Sequence, residues 1–447
     1  MKKPVVLLVL LPQLWIFQGG GWNQNSRFAL ARALVNRGSV RIDPDAGATG
    51  DVAVRDGHVY CDKAPGVSFA AAVALAIAGP LASAAGVDPD QALWWRAIPY
   101  AVTVLSISLP VALTAGVLYG ELAALFGASA ALLAIAAVFL GTPLLGYAGL
   151  LYGHALAGCL IALGWVALRR ERCALAGLAC GAAIAVEYTA GLGAAALFAL
   201  VLSDGRLRPR WLAFAAAALP PLALVFAYNA AAFGAPWSIG YAHLPAEQFQ
   251  GMGAGFFGVH LPRPEALWQL TFGEHRGLFR LAPALLLAFP AARLLPRRDA
   301  LVCFGLFAAF LCVNAGYVYW DGHASFGPRH AVPGLVLLCV PMAAAARRWP
   351  RLALALTVAS VLLCGLAWST RPEAAPQDWN PLTDSWLRFW RKDAIASSIF
   401  WFNFKDPLEY RSGFSLPMLF GLDGRASLLP LAPAVAALLA WWKRTAP

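Results

Sequence analysis

The sequence predicts an all-α fold, a polytopic membrane helix bundle of about 12 spanning helices with one long external loop near its start. Three observations carry that expectation. Hydrophobic residues make up 60% of the 447 and charged ones only 13%, too apolar a mix for a soluble core with a wetted surface. Apolar runs close to the ~20 residues that cross a bilayer recur from end to end. The basic residues gather in short clusters between those runs, as the positive-inside rule requires. The net charge of +11 therefore reports topology, and no nucleic-acid partner is expected.

Met1-Lys2-Lys3 followed by Pro4 to Phe17 opens like a signal peptide. No small-x-small cleavage site follows, only Gln18-Gly19-Gly20-Gly21, so 4–18 reads as a retained first helix. The remaining spans are expected at 96–118, 122–141, 150–168, 172–187, 188–203, 211–231, 279–294, 299–318, 330–346, 350–369 and 428–443, in a single domain, 1–447. The stretch 172–203 is rich in Ala and Gly and broken by Glu187-Tyr188, the pattern of two half-width helices meeting near the outer side. Pro220-Pro221 should kink the run that begins at Trp211. No internal repeat is evident, which weighs against a transporter built from inverted repeats.

The apolar run 67–85 is decided by counting charges. If it does not cross, Arg169-Arg170-Glu171-Arg172, Arg206 to Arg210, Arg293 to Arg298, Arg347 to Arg351 and Lys443-Arg444 all fall on the side of Lys2 and Lys3. If it crosses, every one of them falls outside. A helix satisfies its own backbone hydrogen bonds, so 67–85 can lie on or dip into the outer leaflet, and it is read as a membrane-surface helix; the alternative is an ordinary span compensated by a miscounted pair such as 172–203. Both termini are then cytoplasmic, and the outer face carries 18–95, 232–278 and 370–427 as its long loops. All seven histidines, at 58, 154, 243, 260, 275, 323 and 330, land on or beside that face. Chemistry is expected there.

The first external loop is the densest run of ionisable groups: Asp43, Asp45, Asp51, Asp56 and Asp62, with Arg27, Arg32, Arg37, Arg41, Arg55, Lys63 and His58. It closes on Asp62-Lys63-Ala64-Pro65-Gly66. A carboxylate and an ammonium held by a Pro-Gly turn at a membrane surface suit a phosphate headgroup and a hydroxyl acceptor; the plain alternative is a turn with Lys63 snorkelling. A second cluster, Trp320-Asp321-Gly322-His323 through Arg329-His330, puts a guanidinium at the outer end of an apolar helix, where it can clamp a phosphate. Interfacial anchoring is its plain alternative, and it leaves Asp321 unexplained. Arg96 opens a span behind Trp94-Trp95 and either faces the bundle or snorkels. His154 reads as a packing histidine; Glu187, a costly carboxylate amid Ala, Ile and Val, is either a buried hydrogen-bond partner or part of the site, and is read as structural. The loop aspartates lack EF-hand spacing, and no CxxC, GxSxG, HExxH or Walker pattern is present. Only Cys61 of the eight cysteines lies in a polar loop, so no disulfide framework is expected.

Several of these stretches, in this order, resemble one family. Trp22-Asn23-Gln24-Asn25-Ser26-Arg27-Phe28, Gly50-Asp51, Asp56-Gly57-His58-Val59-Tyr60 and Asp62-Lys63-Ala64-Pro65-Gly66 look like the first external loop of GT-C membrane glycosyltransferases. The group in question is that of bacterial proteins similar to protein O-mannosyltransferases and to the lipid A aminoarabinose transferase. Gly141-Thr142-Pro143, Tyr228-Asn229 with Phe233-Gly234-Ala235-Pro236, and Trp320 through His330 fit the same group, so the resemblance covers essentially the whole chain.

The resemblance implies a GT-C-like fold with juxtamembrane helices in the first loop. It also implies transfer of a sugar from a polyprenyl-phosphate-linked donor to a lipid, glycan or protein acceptor, at the outer face of a bacterial cytoplasmic membrane. A prenyl phosphate leaves as a stable anion, so such an enzyme needs one carboxylate base and cations on the phosphate. The relatives carry an acid shortly after the first helix, where this chain has Gln24-Asn25, so the base is expected elsewhere: Asp62 first, Asp51 second, Asp321 third. Lys63, Arg329, Arg27 and Arg96 are the expected phosphate ligands, with His330, His58 and Tyr60 as further substrate-binding residues. Membrane lipids are expected partners; no cofactor is assigned, and a divalent cation, without assigned ligands, is the one candidate. Trp379, Trp386, Trp390 and Trp401 in 371–427 are candidates for an acceptor groove or for interfacial anchors. Two other classes stay open. A transporter or flippase of lipid-linked sugars would spread its charges through mid-membrane positions, and a non-catalytic scaffold descended from such an enzyme would account for Gln24-Asn25.

Overall fold

A computed structural model describes residues 2–88, 92–245, 249, 251–252, 255–371, 380–390, 395–396 and 413–445. The apolar runs become helices: α1 (Lys2–Trp15), α2 (Trp22–Arg37), α3 (Gly66–Ala84), α4 (Leu93–Phe126), α5 (Ala128–Leu140), α6 (His154–Arg169), α7 (Cys173–Val186), α8 (Gly191–Ser203) and α9 (Trp211–Phe233). They continue with α10 (Pro264–Thr271), α11 (Pro283–Leu294), α12 (Arg297–Gly316), α13 (Arg329–Arg348), α14 (Pro350–Thr370), α15 (Thr383–Trp390) and α16 (Leu431–Thr445). Two short antiparallel pairs are the sheet content among the described residues: β1 (Ile16–Gln18) with β4 (Gly413–Ser415), and β2 (Val52–Arg55) with β3 (His58–Cys61).

Length and apolar composition qualify seven of the described helices as membrane-crossing, and one of them is α3, read from the charge count as a membrane-surface helix. Six of the twelve expected spans thus qualify, while α1, α5, α6, α7, α8 and α11 stop short of the ~20 residues a span needs; α6 has 16 residues, α7 has 14 and α8 has 13. The break between α7 and α8 falls where the sequence places it, with Glu187 in extended conformation (φ −153°, ψ 118°). Small residues let neighbouring backbones close up. A Cβ on Gly181 would stand 2.5 Å from the Ala218 carbonyl oxygen, and Gly177, one turn earlier, meets the Phe214 backbone in the same way, so α7 lies directly on α9.

Charge is segregated to the two ends of this bundle. At one end Arg169 reaches Glu121 and Asp299, Arg170 reaches Glu121, Arg210 reaches Glu171, and Arg298 and Arg206 flank Asp204. Both termini belong to this end, since Lys2 packs on Gly120 and Trp442 donates to the Tyr119 hydroxyl at 2.9 Å. α6 then runs about 22 Å, at 1.5 Å per residue, from Arg169 to His154 at the opposite end, where the first loop sits.

The first loop is a small folded unit. α2 packs along α3, and the β2–β3 hairpin turns on Asp56-Gly57, both at positive φ (51° and 76°), the two-residue turn that an Asp-Gly pair favours. Gly66 at the start of α3 presses on the Ala185–Val186 backbone beside Glu187. The far end of α3 turns back at Gly86 into α4, whose Trp95 stacks under Arg32 of α2 at 5.2 Å. Both ends of α3 thus stay with the first loop, while Val73, Ile77 and Leu81 form an exposed apolar stripe along it.

Candidate functional site

Hairpin register explains the centre of the site. Val52 pairs with Cys61, so the residues just outside that pair, Asp51 and Asp62, emerge side by side at the open end of the hairpin. Lys63 lies between them, with Nζ 3.0 Å from Asp51 Oδ2 and 2.8 Å from Asp62 Oδ2. The Tyr241 and Phe249 rings stand 5.7 and 5.8 Å from the same ammonium. Asp62 is 1% exposed, and its backbone lies against Gly240, where a Cβ would come within 2.6 Å. Tyr228 anchors the strand end by donating its hydroxyl to the Cys61 carbonyl at 2.6 Å.

Electrostatics follow from burial and from two acids sharing one base. Burial pushes the Asp62 carboxyl above the usual carboxylate range; Lys63 opposes this and Asp51 adds to it. Burial alone would lower the Lys63 ammonium, but Asp51 and Asp62 outweigh it and hold Lys63 charged well above the ordinary lysine value. Burial likewise raises the Tyr241 phenol well above its ordinary value.

Two guanidiniums stand near this cradle without a carboxylate at ion-pair distance among the described residues. Arg27, 2% exposed on α2, donates to Asn23 Oδ1 at 2.9 Å and to the Ala64 carbonyl at 3.2 Å. Arg329, at the start of α13, approaches His330 Nε2 at 3.3 Å and lies over the Tyr152 ring at 5.9 Å. The loop before it is fixed by Tyr147, whose hydroxyl is 2.9 Å from Ser325 Oγ and accepts from the Phe326 amide at 3.2 Å. Beside these groups opens a cavity of about 360 Å³, with Glu187, Tyr188, Tyr241, Phe257, Tyr317 and His330 among its walls. Glu187 Oε2 stands 3.2 Å from His154 Nδ1, and the His154 and His330 rings meet edge to face at 5.3 Å.

The expected site residues fall into two groups. Asp51, Asp62, Lys63, Arg27, Arg329 and His330 gather at this end of the bundle. The Asp321 backbone carbonyl accepts from Arg276 Nε at 2.7 Å, and the residue's buried Oδ2 has no hydrogen-bond partner among the described residues. His58 pairs with Asp43 at 3.4 Å on the outer side of the hairpin, Tyr60 is buried against Phe233, and Arg96 is exposed on α4. Gln24 and Asn25 do structural work: Gln24 Oε1 accepts from the Leu151 amide at 3.1 Å, and Asn25 Nδ2 donates to the Gly20 and Ala48 carbonyls at 3.0 and 2.8 Å. Trp386 and Trp390 are exposed on α15, while Trp379 and Trp401 lie outside the described residues. Among the described residues no group of three or more His, Cys, Asp or Glu converges as metal ligands would.

Sequence reasoning took His154 and Glu187 one at a time, as packing and structural residues, and missed that they form a pair. The available signal was the cost of an intramembrane carboxylate, which demands a partner; which histidine supplies it depends on α6 and α7 meeting in space.

Fold and site together define an all-α polytopic membrane protein with a largely apolar, aromatic-lined cavity at one end, whose wall includes Glu187 and His330. No family model matches the chain, and no curated protein matches it. Among solved structures, the fold is similar to that of ArnT from Cupriavidus metallidurans, crystallised with undecaprenyl phosphate bound, at a TM-score of 0.49 and 19% identity over 82% of this chain. The match takes in 62% of that protein's chain, less than two thirds of its length. At this distance the likeness carries no argument about activity.

Proposed function

We propose that this chain is a membrane glycosyltransferase. It takes a sugar from a polyprenyl-phosphate-linked donor and passes it to a hydroxyl of a lipid, glycan or protein acceptor at the outer face of a bacterial cytoplasmic membrane. One observation carries the reading: two buried or half-buried guanidiniums, Arg27 and Arg329, have no carboxylate partner among the described residues and stand near a cavity whose wall presents Glu187. A cation in so apolar a setting is costly unless an anion completes it, and a phosphate group fits a guanidinium fork. Supporting the orientation, both termini and the basic loops share the opposite end, the cytoplasmic one by the charge rule. With both its ends held by the first loop, α3 is read as a juxtamembrane helix.

The division of labour follows from charge. Lys63 is already neutralised by two aspartates, so Arg329 and Arg27 are the groups that grip the phosphate. Lys63 keeps Asp51 and Asp62 together and holds the hairpin against 239–241. Asp62 is the first-loop candidate for the base, and no step requires a cofactor; a divalent cation on the phosphate would be an added feature. The test is transfer of radiolabelled sugar from a panel of polyprenyl-phosphate donors in proteoliposomes of the purified chain. Transfer that depends on Arg329 supports the reading. Movement of lipid-linked sugar across the bilayer without transfer would replace it with a flippase.

A further inference from the structure

We propose that Glu187, held by His154, is the group that takes the proton of the acceptor hydroxyl, and that Asp62 serves to keep the charge of the Lys63 cradle. The inference rests on the glycosyl-transfer reading and names its base.

Access distinguishes the two carboxylates. Asp62 has its Oδ2 occupied by Lys63 at 2.8 Å; its Oδ1 is without a partner among the described residues, but the residue is 1% exposed and is not among those that line the cavity, so a hydroxyl held there does not meet it. Glu187 is on the cavity wall, with its side chain 13% exposed. It stands at the break between α7 and α8, where the extended backbone ends one helix and starts the next, so its side chain projects from neither helix barrel. Gly153 permits this placement, since a Cβ there would stand 2.8 Å from Glu187 Oε2 and 2.6 Å from the Val186 carbonyl oxygen.

The pair has the chemistry of a base and its orienter. His154 Nδ1 is within ion-pair distance of Glu187 Oε2 at 3.2 Å, yet the two are misaligned for a hydrogen bond, and Oε2 keeps its capacity to accept. A buried oxygen left in that condition costs free energy, which a hydroxyl entering the cavity would relieve. The walls beside Glu187 are aromatic, from Tyr188, Tyr241, Phe257 and Tyr317, as suits the apolar faces of a sugar ring.

The step balances without an oxidant or reductant. The acceptor oxygen forms a bond to the anomeric carbon as its proton passes to Glu187. The bond from that carbon to the phosphate oxygen breaks, and its electron pair leaves on the polyprenyl phosphate, which Arg329 and Arg27 hold. His154 is a positioning residue: it fixes the carboxylate and shares the charge relieved on protonation.

The experiment compares Glu187→Gln, Glu187→Asp, His154→Asn, His154→Ala and Asp62→Asn with the wild type in the proteoliposome transfer assay. Binding of a polyprenyl monophosphate is measured in parallel on the same purified chains. Glu187→Gln should lose about 100-fold or more in turnover, the span typical of removing a general base, with polyprenyl phosphate binding retained. Glu187→Asp should recover part of the rate. His154→Asn, which keeps a donor in place of Nδ1, should exceed His154→Ala in turnover at unchanged donor KM. The inference is overturned if Glu187→Gln transfers at the wild-type rate while Asp62→Asn does not; the glycosyltransferase reading then stands with Asp62 as base. It is also overturned if Glu187→Gln loses phosphate binding in step with turnover. A wild-type chain that transfers no sugar from any donor removes the reading and this inference with it.

Discussion

Replacing Lys63 by methionine removes the one charge that reconciles Asp51 and Asp62. Its Nζ stands 3.0 and 2.8 Å from the two carboxylates, whose side chains are 10% and 1% exposed. At an effective dielectric near 20, each contact at that range carries about 5 kcal/mol of Coulomb energy. Much of this offsets desolvation, so the net cost is better taken from pairs broken on one side, about 3–5 kcal/mol. Two stranded carboxylates put Lys63→Met at the upper end, limited by proton uptake at Asp62. The pH dependence has a definite sign. Burial already raises the Asp62 carboxyl above its unfolded value, and losing Lys63 raises it further, so stability falls as pH rises from the unfolded carboxyl value through the folded one. Unfolding in a denaturing-detergent titration, followed by the fluorescence of the 17 tryptophans, should show the variant weakest at neutral pH and partly recovered near pH 5. Lys63→Met with Asp62→Asn should regain most of the loss and flatten the pH dependence. A single variant within about 1 kcal/mol of wild type at neutral pH, the level of an exposed pair, would refute the reasoning.

Two further outcomes follow from the same geometry. Arg329→Ala should weaken binding of a polyprenyl monophosphate by about 10- to 100-fold, the worth of one charge-assisted contact of ~1.5–3 kcal/mol, as read by equilibrium binding in detergent; unchanged affinity would take Arg329 out of the anion site. Asn25→Asp, which places an acid where the relatives carry one, should destabilise the chain by at least ~2 kcal/mol in the detergent titration without raising turnover. Its carboxylate would face the Gly20 and Ala48 carbonyls, which now receive the Asn25 amide.

Much of the framework was legible because it depends on local pattern. Apolar runs, the Glu187 break and the clustering of arginines at one end are properties of composition and spacing, and the bundle reproduces them. The span count was less legible, since α6, α7 and α8 are too short for hydropathy alone to say how they meet the bilayer. Within the site, Asp62-Lys63 was legible as a turn with charge. That Asp51 joins it depends on hairpin register, for which Asp56-Gly57 between Val54 and Val59 was an available but unused signal. Arg96 was chosen as a charge near a helix end, a criterion blind to direction, and its side chain is exposed.

The distribution of unpaired charge gives the site its direction. At the terminal end every arginine described above finds an acid or a carbonyl, and those contacts stitch α4, α6, α9 and α12 together. At the opposite end three carboxylates and three cations share one neighbourhood, but they do not pair one to one. Lys63 satisfies two acids, Glu187 leans on a histidine, and the surplus appears as guanidiniums, Arg27 and Arg329, which among the described residues are held by amide, carbonyl, imidazole and aromatic neighbours. Had evolution required only stability, Asp51 and Arg329 could have been paired and Lys63 left with Asp62. Committing two acids to one lysine concentrates negative charge in a sealed cradle and leaves positive charge facing what arrives. On the proposed function, such an arrangement is completed when an anion enters, and a phosphate borne on a lipid is the anion proposed.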